Sequence, residues 1–168
     1  AYKSINTLSY VTQGSDKAPH KAYVMIDPNC IFCHQLYLDM APLIKAGTLQ
    51  IRWVPVGIMR PDSAGKAAHL LSAKNNTEAV KLLQEDEDKF NTKTEEGGLS
   101  ALDKSSTDPT TANAFKKVSS NTAFFNNNGF QGTPVIIYLD KKGQPSLFPG
   151  YPRGPKLKEL TDQMYHKF

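Results

Sequence analysis

Both cysteines of this 168-residue chain fall in one short stretch, Asp27-Pro28-Asn29-Cys30-Ile31-Phe32-Cys33-His34. That placement constrains the fold more than any other feature. An apolar, β-rich run at residues 22–26 precedes it, and a helix-like pattern at residues 35–46 follows it. A C-x-x-C motif set between a strand and a helix is the pattern of a redox pair. Cys30 is expected at the helix N-terminus, where the macrodipole and the free backbone N–H groups favour an anionic sulfur. The spacing puts both sulfurs within bonding reach on the first helical turn.

With its cysteines confined to one motif, the chain is not held together by a disulfide framework. Its length fits one domain with a real core. No apolar run approaches the length of a membrane span. The sequence starts at Ala1 without a signal peptide, so it reads as a processed mature protein or a trimmed chain. The formal net charge is +4, but Lys and Arg are scattered, and residues 85–88 form an acidic run. No basic stretch interleaves with aromatics. The charge therefore reads as a basic soluble surface, with no nucleic-acid partner.

Along the chain, residues 9–12 suit an edge strand and residues 15–21 a polar turn. Residues 22–26 suit a buried strand, and a helix is expected from Cys30, kinked or interrupted at Pro42 and ended at Gly47. Residues 49–56 alternate like a strand. Asp62 or Ser63 caps a helix running through Lys74, and a second begins near Thr77 with Ala79, Val80, Leu82, Leu83 and Phe90 as its apolar positions. Residues 91–108 are polar, contain Gly97-Gly98, and are expected to be the most mobile part. Thr107 or Asp108, followed by Pro109, opens a helix ending near Gly129. Residues 135–139 and 145–148 form a hairpin across the turn at 140–143. Gly154-Pro155 starts a last helix with Leu157, Leu160 and Met164 at helical spacing.

The order is βαβ, a helical insertion at about residues 61–128, then a β-hairpin and a helix. This is an α/β, thioredoxin-like order with extra helices between its halves. Residues 1–21 are expected to be an N-terminal linker or edge strand, and residues 22–168 the catalytic domain.

Cys30, at the exposed start of the helix, is the candidate nucleophile. Cys33, one turn in, is the candidate resolving thiol. His34 either biases the thiolate or is a helix-surface residue. Asp27 with Pro28 reads as a turn residue rather than an acid–base group. Trp53 reads as core. Thioredoxins carry a buried acid six residues before the first cysteine, and this chain has Val24 there, so proton transfer would rely on solvent or another group. A second reading stays open, because Cys30-x-x-Cys33-His34 is also the c-type haem attachment motif, with Met25, Met40, Met59 or Met164 as a further axial ligand. It leaves Gly132-Thr133-Pro134 unexplained. No metal site is expected: His20, His34, His69 and His166 lack finger spacing.

The chain resembles the catalytic domain of the bacterial periplasmic disulfide isomerases and reductases DsbC and DsbG. The residues that carry the resemblance are 27–34, Val56-Gly57-Ile58-Met59-Arg60-Pro61-Asp62-Ser63, Gly132-Thr133-Pro134 and Pro149-Gly150-Tyr151. It implies a periplasmic thiol–disulfide oxidoreductase without a cofactor, acting on cysteine-containing secreted or periplasmic proteins and kept reduced by a membrane reductant of the DsbD type. Cys30 would attack and Cys33 resolve. Thr133 would precede a cis-Pro134 and offer its backbone to an extended substrate, and Ile31 and Phe32 would join them in contacting it. Ile31-Phe32 departs from the small or proline-containing pairs usual in the family. The family also has an N-terminal dimerisation domain. Residues 1–21 are too few for one, so a homodimer is expected only if the full-length protein carries such a domain. The function expected from another class is a chaperone-like binding module with a vestigial cysteine pair.

Overall fold

A computed structural model describes residues 2–168; Ala1, the first residue of the amino-terminal stretch, lies outside them. The elements in chain order are a 3-10 helix (Tyr2–Thr7), β1 (Val11–Gln13), β2 (His20–Ile26), α1 (Ile31–Lys45), β3 (Leu49–Pro55), α2 (Ser63–Leu71), α3 (Asn76–Asp88), α4 (Pro109–Asn127), β4 (Val135–Leu139), β5 (Pro145–Pro149) and α5 (Pro155–Asp162). The strands form one sheet in the order β1-β3-β2-β4-β5. β2 and β3 are parallel, with Val24 opposite Trp53. The other pairs are antiparallel, with Val24 opposite Ile136 across β2 and β4.

Alternation along the central strands builds two cores from one sheet, because successive side chains point to opposite faces. Ala22, Val24 and Ile26 of β2 join Ile51, Trp53, Ile136 and the helix residues Leu36, Met40, Leu83 and Leu160 on one face. Tyr23 and Met25 join Val54, Val135, Ile137 and Phe125 on the other, with Ile5 of the 3-10 helix. Both faces are covered, which is why β2 reads as an unbroken apolar run. α2 and α4 pack on each other through Ala67, Ala68, Leu71, Ala114 and Val118. Small residues on that seam let the two helices approach closely.

Most expected elements are present with shifted ends, and three expectations are corrected. Pro42 does not interrupt α1, which runs unbroken from Ile31 to Lys45. Pro42 lies on the solvent face, so the carbonyl it cannot donate to stays hydrated. Met164 lies beyond α5, in a bridge to Asp140 that carries it into the core.

The third correction concerns residues 91–108, whose first part is tied down. Asn91 and Glu96 exchange backbone hydrogen bonds. Gly97 donates to Asn29 Oδ1 at 3.0 Å, and Leu99, only 4% exposed, donates to Asp86 Oδ1 at 3.0 Å. The polar side chains of this segment mostly face solvent, while the backbone N–H groups of Gly97 and Leu99 turn inward and fix it.

A candidate redox site at the β2–α1 junction

β2 ends at Ile26, and Asp27-Pro28-Asn29 turns the chain into α1. Cys30 is the N-cap: its backbone is extended (φ −91°, ψ 117°), and its sulfur accepts the backbone N–H of Cys33 at 3.2 Å. A sulfur here meets one of the donors that every helix start leaves unpaired. The Cys33 thiol and that N–H both stabilise the Cys30 thiolate; together they outweigh burial and lower its pKa. Burial raises the pKa of Cys33 well above its ordinary value, and the neighbouring Cys30 adds to the rise. Both thiols are free.

The structure brings Thr133 to this pair. The Thr133–Pro134 peptide is cis, and the Thr133 carbonyl oxygen lies 3.4 Å from Cys30 Sγ. Pro134 is buried, while Phe32 projects outward at 45% exposure and Ile31 is half-buried. Thr133 Oγ1 approaches Met59 Sδ at 3.7 Å, so Met59, half exposed, rims the same site. A depression of about 510 Å³ continues from Thr133 past Phe130, Val135, Leu147 and Pro149. Cys30 is not at an exposed helix start. It is 2% exposed, because the Thr133 loop lies against it.

His34 is neither a surface residue nor free beside the sulfurs. It is buried, with Nδ1 2.5 Å from Glu87 Oε2 and its ring stacked on Phe90 at 4.3 Å. Its Nδ1 and one ring face are thereby engaged within the fold, and with Cys30 and Cys33 each 2% exposed the motif is packed into the core rather than open to a haem face. Among the described residues, no three of His, Cys, Asp and Glu gather as a metal-holding group.

A buried polar frame holds the turn in place. Asp27 is not only a turn residue. Its carboxylate accepts four hydrogen bonds, from Asn29 N, Ser63 Oγ, Ile58 N and Met59 N. Asn29, 1% exposed, donates to Asp62 and Ser63 and accepts from Lys66 Nζ at 2.9 Å and from Gly97 N. Lys66 also donates to the Gly97 carbonyl at 2.8 Å. Gly97 fits because it has no side chain: a Cβ there would lie 2.4 Å from the Pro28 carbonyl oxygen. Beyond it sits Asp86, fully buried, with one oxygen accepting Leu99 N and the other without a partner. Burial pushes its pKa up to about 7.

Sequence reasoning missed this frame. Its partners lie more than thirty positions apart in sequence (Asp27 with Ser63, Asn29 with Gly97). The one available signal was that Asp86 and Glu87 continue the helical stripe of Ala79 and Leu83, so the acidic run turns inward.

A family model described as "Thioredoxin-like domain" matches residues 9–165. The thiol:disulfide interchange protein DsbG of Pseudomonas aeruginosa is 29% identical over 159 residues, covering 95% of this chain and 57% of that protein. DsbG of Escherichia coli is 28% identical over 143 residues, covering 85% of this chain and 53% of that one. The chain thus spans about half the length of the curated relatives it matches. Among solved structures, Proteus mirabilis ScsC in a transitional conformation superposes with a TM-score of 0.69 at 17% identity, covering 96% of this chain and 76% of that one. Pseudomonas aeruginosa DsbA2 superposes with a TM-score of 0.66 at 11% identity, covering 92% and 93%. At such identities the two structures speak for the fold alone.

Proposed function

This chain belongs to the thioredoxin-like family, and from that premise we propose that it is a thiol–disulfide oxidoreductase in which Cys30 attacks and Cys33 resolves. The observation that carries this reading is the asymmetry of the two thiols. Cys30 caps the helix with a lowered pKa, and Cys33, one turn along, has a raised one. An enzyme of this kind needs a nucleophile that is ionised at neutral pH and a second thiol that stays protonated until it is needed.

The Cys30 thiolate attacks one sulfur of a client disulfide. A mixed disulfide forms, and the other client sulfur leaves as a thiolate. In isomerisation, that or another client thiolate attacks the client sulfur of the mixed disulfide, and Cys30 is released unchanged. In reduction, Cys33 loses its proton to solvent and attacks Cys30 Sγ. The Cys30–Cys33 disulfide forms, and the client departs with both sulfurs reduced. Two electrons pass from the dithiol to the client, and an external dithiol restores the pair.

Thr133 and Pro134 are the residues on which an extended client segment rests, with Ile31 and Phe32 contacting it. The depression running past Phe130 and Leu147 offers apolar surface for its side chains. The clients are cysteine-containing secreted proteins, the compartment is the periplasm, and the restoring partner is a membrane reductant of the DsbD type. Residues 22–168 carry the catalytic elements, with residues 1–21 supplying the edge strand β1 of the same sheet. In a longer protein carrying a dimerisation domain, two such sites would work together.

The test is covalent trapping. A Cys33→Ala variant incubated with periplasmic extract accumulates mixed disulfides on Cys30, and Cys30→Ser accumulates none. Multi-cysteine clients mark isomerisation, and single-cysteine clients mark rescue of oxidised thiols. Full turnover by Cys30→Ser, or a Cys30 that is reduced yet forms no adducts, overturns the reading.

A further inference from the structure

We propose that Arg153 is a recognition group for a carboxylate carried by the client close to the cysteine that Cys30 attacks. The inference rests on the redox reading and adds a substrate class to it.

The chain has three arginines. Arg52 lies over the rings of Tyr10, Tyr23 and Phe168 and donates to the Tyr23 hydroxyl at 2.6 Å. Arg60 donates to the Thr94 carbonyl at 2.6 Å. Arg153 is exposed, and among the described residues its guanidinium makes no hydrogen bond or ion pair. Its five N–H donors form a planar fork that matches a carboxylate.

It is nevertheless held in position. Phe32, the exposed residue between the cysteines, stacks on Tyr151 with ring centroids 6.3 Å apart and planes 28° from parallel. The Arg153 guanidinium sits 5.5 Å from the Phe32 ring centre and 5.4 Å from that of Tyr151. Contact with aromatic faces fixes an arginine without using its donors. The Tyr151 hydroxyl in turn donates to Asp39 of α1. That bond anchors the ring that Arg153 lies against. Lys156, the next cation along, pairs with Glu159 at 3.8 Å. A preorganised cation with open donors therefore stands over the residue that follows Ile31, on the rim of the nucleophile.

Carboxylates fit this place better than other anions on a protein client. An Asp or Glu a few residues from the target cysteine reaches the fork while the cysteine reaches Cys30, and the guanidinium binds it with two parallel hydrogen bonds. The contact is exposed, so it contributes to selectivity and shrinks with salt.

The experiment uses the full chain and three disulfide-linked peptides that differ at one position near the cysteine, carrying Glu, Gln or Lys. Reduction is followed as kcat/KM for the wild type, Arg153→Gln and Arg153→Lys. The wild type is expected to favour Glu over Gln by about three- to five-fold, with Lys the poorest and the preference fading as salt is added. Arg153→Gln brings the Glu-to-Gln ratio to about one, and Arg153→Lys restores part of it. Equal rates for all three peptides in the wild type, or an unchanged ratio in Arg153→Gln, overturns the assignment of Arg153 and leaves the redox reading standing. Failure to reduce any peptide overturns both.

Discussion

Asp27 and Asp86 are the same residue type, and both are out of reach of water. Asp27 receives four hydrogen-bond donors from the turn before Cys30 and from the segment entering α2. Asp86, on α3, receives one at its carboxylate and leaves an oxygen bare. The first acid organises its surroundings, and the second is tolerated by them. A buried carboxylate strengthens a structure only where donors converge on it; elsewhere its desolvation makes the fold sensitive to pH.

The sharpest way to break the contrast is to delete Asp27. Asp27→Ala strands three backbone N–H groups and a serine hydroxyl, and should cost on the order of 4 kcal/mol in denaturant unfolding. A loss below about 1 kcal/mol would mean that the converging donors are not what holds the turn.

Asp86 should behave in the opposite sense. Its folded pKa is raised from 3.8 to about 7. Between those values the folded chain keeps a proton that the unfolded chain has released. Stability therefore falls as pH rises through that window, and the full penalty applies above it. The contribution is on the order of 4 kcal/mol. Asp86→Asn should flatten this part of the pH–stability curve; an unchanged slope would place the proton elsewhere.

Gly97→Ala probes the packing beside Asp86. The added Cβ would lie 2.4 Å from the Pro28 carbonyl and 2.5 Å from Asp86 Oδ1. A loss of about 2 kcal/mol is expected, together with slower alkylation of Cys30 as the turn shifts. Tyr151→Phe supplies the smallest effect. It removes an exposed hydrogen bond to Asp39 and should change stability by less than about 1 kcal/mol. A larger loss would show that the rim aromatics share the structural burden of the buried frame.

The two acids also mark what can be read in the sequence. The strand–turn–helix around Cys30 and the alternation in residues 135–139 are local patterns, set by side-chain period and by turn residues, and the sheet follows them. Thr133-Pro134 was recognisable through the family resemblance, since a proline at a strand entrance alone marks only where a strand begins, and the fold then carries it to Cys30. Asp27 was read only as a turn former, since its donors at Ile58, Met59 and Ser63 arrive from a segment that becomes its neighbour only on folding. Residues 91–108 look like a solvated loop, and nothing local says that Gly97 fills the gap beneath Asn29. His34 lies beside a cysteine in sequence, while its energetic partners, Glu87 and Phe90, come from α3 and the residues after it. Sequence periodicity reports which face is buried; it does not report which polar groups meet there.

The central claim is the opposed character of two thiols on one helical turn, and the most direct measurement is the pH dependence of thiolate absorbance in the reduced protein. One sulfur should ionise below the ordinary cysteine value of about 8.5, and the other should remain protonated well above it. The early step should vanish in Cys30→Ser and move upward in Cys33→Ala, which removes the thiol hydrogen bond but keeps the backbone donor. Two thiols titrating together at the ordinary value, or an early step that survives Cys30→Ser, would contradict the account.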